Sequence, residues 1–154
     1  MTARRRLAAW SVRHARGLER VWSAVERALG VAAPALARLG WARLERPVAA
    51  VERAIKGALF GCRMCGACVL SATGMSCPMN CPKELRNGPC GGVRADGGCE
   101  IVPTMRCVWL AAWEGAAAMQ GGARIHDALP ALDHRLAGRS SWLATARASL
   151  GASA

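Results

Sequence analysis

The sequence predicts a mainly α-helical protein, with N-terminal amphipathic helices around a small, irregular, cysteine-rich core that binds metal. Three observations carry this prediction. Apolar residues recur at three- and four-residue steps through the first 59 positions. Neither helical nor strand periodicity persists between Gly61 and Pro103, where glycine and proline interrupt the chain repeatedly. All eight cysteines lie within positions 62–107.

A basic helical arm is predicted for residues 1–56. Its first apolar stripe consists of Leu7, Trp10, His14, Leu18, Val21, Trp22, Val25 and Leu29. Gly30 is expected to end this helix, and Pro34 to open a second one in its first turn. The second stripe consists of Leu36, Leu39, Leu44, Val48, Val51, Ile55 and Leu59. Pro47 should kink or divide the second helix, because proline cannot donate the backbone hydrogen bond.

Two further segments follow the arm. Residues 57–115 are predicted to form the cysteine-rich metal domain, because so irregular a stretch buries little apolar area and needs another source of stability. A helical pattern resumes after Pro103 and is expected to end at Gly121-Gly122. Residues 116–154 are predicted to be a weakly ordered tail with one short helix near positions 140–148.

The formal net charge of +11 comes mostly from the arm, which has twelve Lys and Arg against four Asp and Glu. A basic arm can contact nucleic acid, anionic lipid or an acidic protein. The absence of Tyr and the single Phe argue against nucleic acid, because single-strand binders offer aromatic stacking platforms. An apolar stripe beside an arginine face would instead suit peripheral contact of residues 1–56 with a membrane surface.

Neither a secretory signal nor a membrane-spanning stretch is visible, so a cytoplasmic protein is expected. Thiols stay reduced in that compartment, and dense cysteine there indicates metal rather than disulfides. The spacing from the first cysteine is C-x2-C-x2-C-x8-C-x3-C-P, followed by gaps of eight, eight and seven residues. The candidate ligands are Cys62, Cys65, Cys68, Cys77, Cys81, Cys90, Cys99 and Cys107. Eight thiolates fit two four-thiolate iron–sulfur clusters or two four-thiolate zinc sites equally well.

Three details favour iron and sulfur over zinc. The C-x2-C-x2-C run places three thiolates on one tight loop, as cubane clusters in bacterial ferredoxins require. Cys81 is followed by Pro82, the Cys-Pro pair that closes the ferredoxin run. No histidine lies between Cys62 and Cys107. The insertion before Cys77 nevertheless breaks the ferredoxin pattern in two, and zinc at one or both sites stays open.

Residues around the cysteines are expected to support the centre. Gly61, Gly66 and Ala67 would let backbone N–H groups approach a cluster. The methionines that flank the cysteines should pack around the site rather than ligate it: Met64, Met75, Met79 and Met105. The basic side chains of the segment are expected at the solvated surface: Lys83, Arg86, Arg94 and Arg106.

The stretch CRMCGACVLSATGMSCPMNCPKELRNGPCGGVRADGGCEIVPTMRCVW resembles the cysteine-rich C-terminal domain of methylenetetrahydrofolate reductase. The motifs that carry the resemblance are C-x2-C-x2-C, CPMNCPK and NGPCGG, and it covers about Phe60 to Trp113. That domain occurs fused to, or encoded beside, a flavin-dependent barrel reductase, and the chain is similar to the small iron–sulfur subunit that partners the enzyme. The arm of residues 1–56 lies outside the resemblance.

The resemblance implies a non-catalytic electron-transfer or accessory subunit in one-carbon metabolism, partnered by a methylenetetrahydrofolate reductase-like flavoprotein. All eight cysteines would ligate two 4Fe–4S clusters, and one grouping joins Cys62, Cys65 and Cys68 to the distant Cys107. The chain shows no barrel, so we expect that it does not reduce a folate by itself. The alternative function is a zinc-stabilised four-cysteine module that scaffolds a complex or binds protein or nucleic acid.

Overall fold

The computed structural model describes residues 3–151 and is mainly helical, as the sequence predicts. Five α-helices span α1 Ala3–Arg13, α2 Ala15–Leu39, α3 Trp41–Phe60, α4 Val108–Ala118 and α5 Ser141–Gly151. Short 3-10 turns lie at Pro78–Asn80, Gly122–His126 and His134–Leu136. The described chain has no β-strand, and isolated antiparallel bridges join Val93 to Cys99 and Gly98 to Arg106.

Helix α2 runs through the position where the sequence predicts a helix end. Gly30 and Pro34 both lie inside its 25 residues, so the predicted stop and restart are wrong. A proline inside a helix removes one hydrogen bond and crowds the carbonyl four residues earlier, which here belongs to Gly30. Packing against α5 extends along this part of α2, since a Cβ on Gly30 would lie 3.8 Å from the Ser149 Cβ. Tertiary packing of this kind stabilises a helix more than local propensity does.

The actual break in the arm is at Gly40. Its φ is 89°, a conformation that side chains rarely adopt, and its N–H donates to the carbonyls of Leu36 and Ala37. Helix α3 then begins at Trp41 and continues past Pro47, which does not divide it.

The buried faces of the arm differ from the apolar stripes read from the sequence. Helix α1 packs on α3 and α4, and α2 packs chiefly on α5. Several stripe residues are at least 40 % exposed: Leu7, Trp10, Val21, Leu39, Val51 and Ile55. Small and charged residues take most of the buried positions instead, namely Ala15, Glu19, Ala33, Ala49, Glu52 and Lys56, together with the aromatic Phe60. The apolar stripes of the arm are therefore buried only in part.

Two apolar clusters hold the irregular middle of the chain against the helices. The first joins the start of α2 and the end of α3 to the cysteine loop, and contains Ala15, Phe60, Leu70, Met75, Cys77, Met79 and Met119. The second lies around α4 and contains Cys81, Cys107, Trp109 and Ala112. Met64, Met75 and Met79 are buried, which confirms the prediction that these methionines pack around the cysteines.

Helix α4 approaches the cysteine segment at Gly74. A Cβ on Gly74 would lie 2.1 Å from the carbonyl oxygen of Ala112, and one on Gly115 would lie 2.0 Å from the Gly74 carbonyl. Two facing glycines therefore permit backbone contact between α4 and the loop that separates Cys68 from Cys77.

Carboxylates of the arm fix the elements that follow the cysteine segment. The buried Glu19 accepts hydrogen bonds from the backbone N–H groups of Gln120 and Gly121, both at 2.8 Å, just after α4. Ser140 caps α5, because its Oγ accepts from the N–H of Leu143 at 3.2 Å. The helix expected near positions 140–148 is thus present, whereas the three-segment division stays a prediction.

None of the helices found between residues 3 and 151 combines the length and apolar character needed to cross a membrane.

Candidate metal centre

The first cysteine loop starts directly from the end of α3. Gly61 takes a left-handed conformation with a φ of 64°, and the next N–H, of Cys62, donates to the Lys56 carbonyl at 3.2 Å. The backbone N–H of Met64 donates to the Cys62 Sγ at 3.3 Å. The turn therefore places a backbone donor on a candidate ligand sulfur, as expected of loops that hold metal thiolates.

Four cysteines line one pocket: Cys62, Cys65, Cys68 and Cys77. This corrects the grouping expected from the sequence, because Cys77 and not Cys107 lies on the pocket with the first three. Tail residues contact the loop that carries this pocket, since Gly138 N–H donates to the Met64 carbonyl at 2.7 Å. Gly66 has a φ of 77°, and a Cβ there would lie 2.2 Å from the Leu136 carbonyl oxygen.

Two of the pocket thiols, Cys62 and Cys77, resist losing their protons when no cation is bound. Burial raises the pKa of Cys77 to about 12, and the nearby Cys62, Cys68 and Cys65 add to the rise. Burial also raises the pKa of Cys62, with Cys68 and Cys65 contributing to the rise and the Met64 hydrogen bond and the charge of Lys56 opposing it. Metal binding requires thiolates, so a cation in this pocket would offset both burial and mutual repulsion.

A charged network forms one wall of the pocket. Glu52, Lys56 and Ser141 line it, and the first two are only 1 % exposed. The Lys56 Nζ donates to Glu52 Oε1 at 2.6 Å and to Ser141 Oγ at 2.7 Å. It also lies 4.4 Å from the ring centroid of Trp22 and 5.4 Å from that of Trp142. This buried ammonium thus has its charge compensated before anything enters the pocket.

Arg86 lies on the same pocket, which corrects its predicted place at the solvated surface. Its Nε donates to the Pro130 carbonyl at 2.8 Å and its Nη2 to the Ala67 carbonyl at 3.0 Å. Ala67 lies between Cys65 and Cys68, so the guanidinium ties the cysteine loop to the tail. The third nitrogen, Nη1, is buried without a hydrogen-bond partner in the described structure.

The remaining four cysteines are not among the residues that line this pocket. Cys81 and Cys107 are buried in the cluster around Trp109. The Cys99 N–H donates to the Met105 carbonyl at 2.9 Å, and the Cys107 N–H to the Gly97 carbonyl at 2.9 Å. Cys99 and Cys107 are therefore on facing arms of one turn.

Cys90 is half-buried and lies near the same turn. It is two residues before Gly92, whose carbonyl accepts from the N–H of Glu100 at 3.2 Å.

All eight cysteines are free thiols. Within residues 3–151, no group of three or more His, Cys, Asp or Glu side chains is arranged so that it could hold a metal ion. The ligand roles of the eight cysteines therefore stay a prediction.

Comparison with known proteins gives one result. A family model described as the methylene-tetrahydrofolate reductase C terminal matches residues 41–135, well over half of the chain. The chain belongs to the methylene-tetrahydrofolate reductase C-terminal family. No curated protein and no solved structure matches it. The family resemblance predicted from the cysteine motifs is confirmed, and membership fits a link to one-carbon metabolism.

The family match is longer than the resemblance read from the motifs. It begins at the start of α3 rather than near Phe60, so residues 41–56 of the basic arm lie inside it. The cysteine motifs do not indicate the charged and hydroxyl-bearing residues of the pocket, which are Glu52, Lys56, Arg86, Arg139 and Ser141. Among these, only the four-residue spacing of Glu52 and Lys56 on a helix gives a sequence signal, and that spacing is equally typical of a solvent-exposed pair.

Proposed function

We propose that the chain is an iron–sulfur accessory protein that exchanges electrons with a methylenetetrahydrofolate reductase-type flavoenzyme. The observation that carries the proposal is the family match over residues 41–135, within which all eight cysteines lie. The chain would be a non-catalytic subunit, and its partner would supply the flavin and the folate site.

The chemistry of the first pocket supports an iron–sulfur group. Cys62, Cys65, Cys68 and Cys77 offer four soft sulfur donors from one loop and one nearby turn. The raised pKa values of Cys62 and Cys77 would fall on metal binding, because the cation replaces the protons. When bound, such a cluster supplies one-electron oxidation and reduction. The other four cysteines would hold the second cluster around the turn of residues 92–107.

The chain's own residues would hold this group in place and keep water away from it. Met64, Met79 and Leu70 line the pocket with apolar surface, and all three are buried. The Met64 N–H already donates to a candidate ligand sulfur. Hydrogen bonds and low solvent exposure are the features by which proteins set the potential of such clusters.

Metal and sulfide analysis of anaerobically purified protein tests the cofactor. We expect iron and labile sulfide in similar amounts and a broad visible band that dithionite bleaches. Zinc in near-stoichiometric amount, without labile sulfide, would refute the electron-transfer function and support the zinc-stabilised module instead.

Electron exchange with a flavoprotein tests the partner. Dithionite-reduced chain, freed of excess reductant, is mixed anaerobically with a methylenetetrahydrofolate reductase-type flavoprotein. Two one-electron transfers from the chain should reduce one flavin, seen as loss of flavin absorbance. Cys68→Ala is the matched variant, and it should lower the number of electrons delivered per chain. Flavin absorbance that stays unchanged with iron-loaded wild-type chain would contradict the proposed partner.

A further inference from the structure

The strongest unexplained feature of the molecule is the buried guanidinium of Arg86. The residue is 9 % exposed, and its Nη1 has no hydrogen-bond partner. Buried polar groups in folded proteins are nearly always paired, and each exception calls for a specific explanation. The explanation must lie on the pocket, because Arg86 lines it together with Cys62, Cys65, Cys68 and Cys77.

The charge of Arg86 is also uncompensated. Its two existing hydrogen bonds go to neutral carbonyl oxygens, those of Ala67 and Pro130. No carboxylate of the described chain pairs with it, whereas the neighbouring Lys56 is paired with Glu52. An arginine stays protonated at any ordinary pH, so the site retains a full positive charge. Burying such a charge without a partner is costly, so the pocket is suited to a negatively charged occupant.

The guanidinium is held in a defined orientation. Its Nε and Nη2 each donate to a backbone carbonyl, at 2.8 and 3.0 Å, and these bonds fix the plane of the group. Because one of those carbonyls belongs to Ala67, between two candidate ligands, the position of Nη1 is tied to the cysteine loop itself. The two N–H groups of Nη1 therefore remain available as preorganised donors beside the thiols.

We propose that Arg86 Nη1 donates to the sulfur atoms of the iron–sulfur group held by Cys62, Cys65, Cys68 and Cys77, and thereby raises its reduction potential. The inference rests on the proposed function. An iron–sulfur cluster with four thiolate ligands is negatively charged, and reduction adds a further negative charge. A buried donor with a positive charge stabilises the reduced form more than the oxidised form, so it shifts the potential upward. Arg86 is thus a tuning residue and not a ligand.

Arg86→Met tests the proposal, because it removes the charge and the donors while keeping much of the apolar volume. The control is Arg94→Met, which removes the same charge from a side chain that is 48 % exposed and lies outside the pocket. The clusters of each anaerobically purified variant are titrated potentiometrically and followed by electron paramagnetic resonance. In Arg86→Met we expect one of the two reduction waves to shift to a lower potential by about 59 mV. For one electron, this shift corresponds to about a tenfold fall in the reduction equilibrium constant. Arg94→Met should leave in place the wave that Arg86→Met shifts.

The other possible outcomes distinguish failure of the role of Arg86 from failure of the proposed function. Two unmoved waves in Arg86→Met, with iron and sulfide at the wild-type level, would overturn the role of Arg86 and leave the proposed function intact. Wild-type protein without iron and labile sulfide would overturn both. If Arg86→Met fails to load the first cluster, Arg86→Gln decides, since its amide nitrogen takes about the place of Nε and can still donate to the Pro130 carbonyl but carries no charge. A lowered wave in Arg86→Gln supports the proposal, and an unmoved one overturns it.

Discussion

Removing the carboxylate of Glu52 should destabilise the protein strongly, because this group neutralises a buried ammonium on α3 and joins α3 to the start of α5. Its Oε1 accepts from Lys56 at 2.6 Å and from the Ser141 hydroxyl at 2.5 Å. Its Oε2 accepts from the Ser140 hydroxyl at 2.6 Å and from the Trp142 N–H at 3.3 Å. Glu52→Ala therefore leaves a buried ammonium without its counter-ion and detaches the start of α5 from α3.

The magnitude follows from the burial of both charges. Glu52 and Lys56 are each 1 % exposed, and breaking a buried pair by removing one partner costs about 3–5 kcal/mol. The Ser141 hydroxyl and the rings of Trp22 and Trp142 remain around the ammonium, which places the cost toward the lower end. A domain has about 5–15 kcal/mol of stability in total, so this loss is a large fraction of it.

Anaerobic guanidinium denaturation, followed by near-ultraviolet circular dichroism, measures the change. Glu114→Ala is the control, because Glu114 pairs with Arg106 at an exposed site and such pairs contribute about 1 kcal/mol or less. A double variant, Glu52→Leu with Lys56→Met, should recover most of the loss, since an apolar replacement of a buried ion pair is often neutral or stabilising. The reasoning is refuted if Glu52→Ala costs no more than Glu114→Ala, or if the double variant is as unstable as the single one.

Three further predictions concern pH, ligand grouping and the arm. Burial would raise the pKa of Glu52, but hydrogen bonds from Lys56, Ser140 and Ser141 outweigh it and the pKa is lowered. The carboxylate's stabilisation is therefore complete above its unfolded pKa of about 4.3 and is lost as the pH falls through the lower folded value. The difference in unfolding free energy between wild type and Glu52→Gln should shrink on acidification, and a constant difference would count against this. Cys62→Ala and Cys77→Ala should abolish the same cluster signal, whereas Cys107→Ala should spare it; equal losses in all three would reject the grouping. Because residues 1–56 are basic, the chain should sediment with anionic vesicles but not with neutral ones, and high salt should weaken the binding. Absence of binding to anionic vesicles at low salt would exclude a membrane role for the arm.

The cysteine spacing predicted the family, because ligand chemistry is encoded in residue type and local spacing. The C-x2-C-x2-C run places three thiols on one loop whatever the rest of the fold does, and the structure brings these three to one pocket. The fourth cysteine that joins these three in one pocket could not be predicted from the spacing. Whether Cys77 or Cys107 joins them depends on long-range packing of the loop against α4, which leaves no mark in the spacing.

The helix breaks and the buried charges were missed for a related reason. Gly30 and Pro34 are local signals for a helix end, but packing of α2 against α5 outweighs them. Lys56 and Arg86 are residue types that are almost never buried alone, so composition places them at the surface. Their burial depends on partners distant in sequence, such as Ser141 for Lys56 and Pro130 for Arg86.

The limits of the family match divide the surroundings of the pocket between the family domain and the chain outside it. The match begins at residue 41, where α3 begins, and ends at residue 135, in the turn that packs on Gly66. Helix α3 belongs to the cysteine domain because its end delivers Cys62 and its buried face carries the charged wall of the pocket. Helix α5 lies beyond the match, yet Ser140 and Ser141 at its start bind Glu52 within it. The α2–α5 pair therefore supports, from outside the family domain, the same wall that faces the thiols. Loss of α5 should loosen the pocket even though no cysteine is removed.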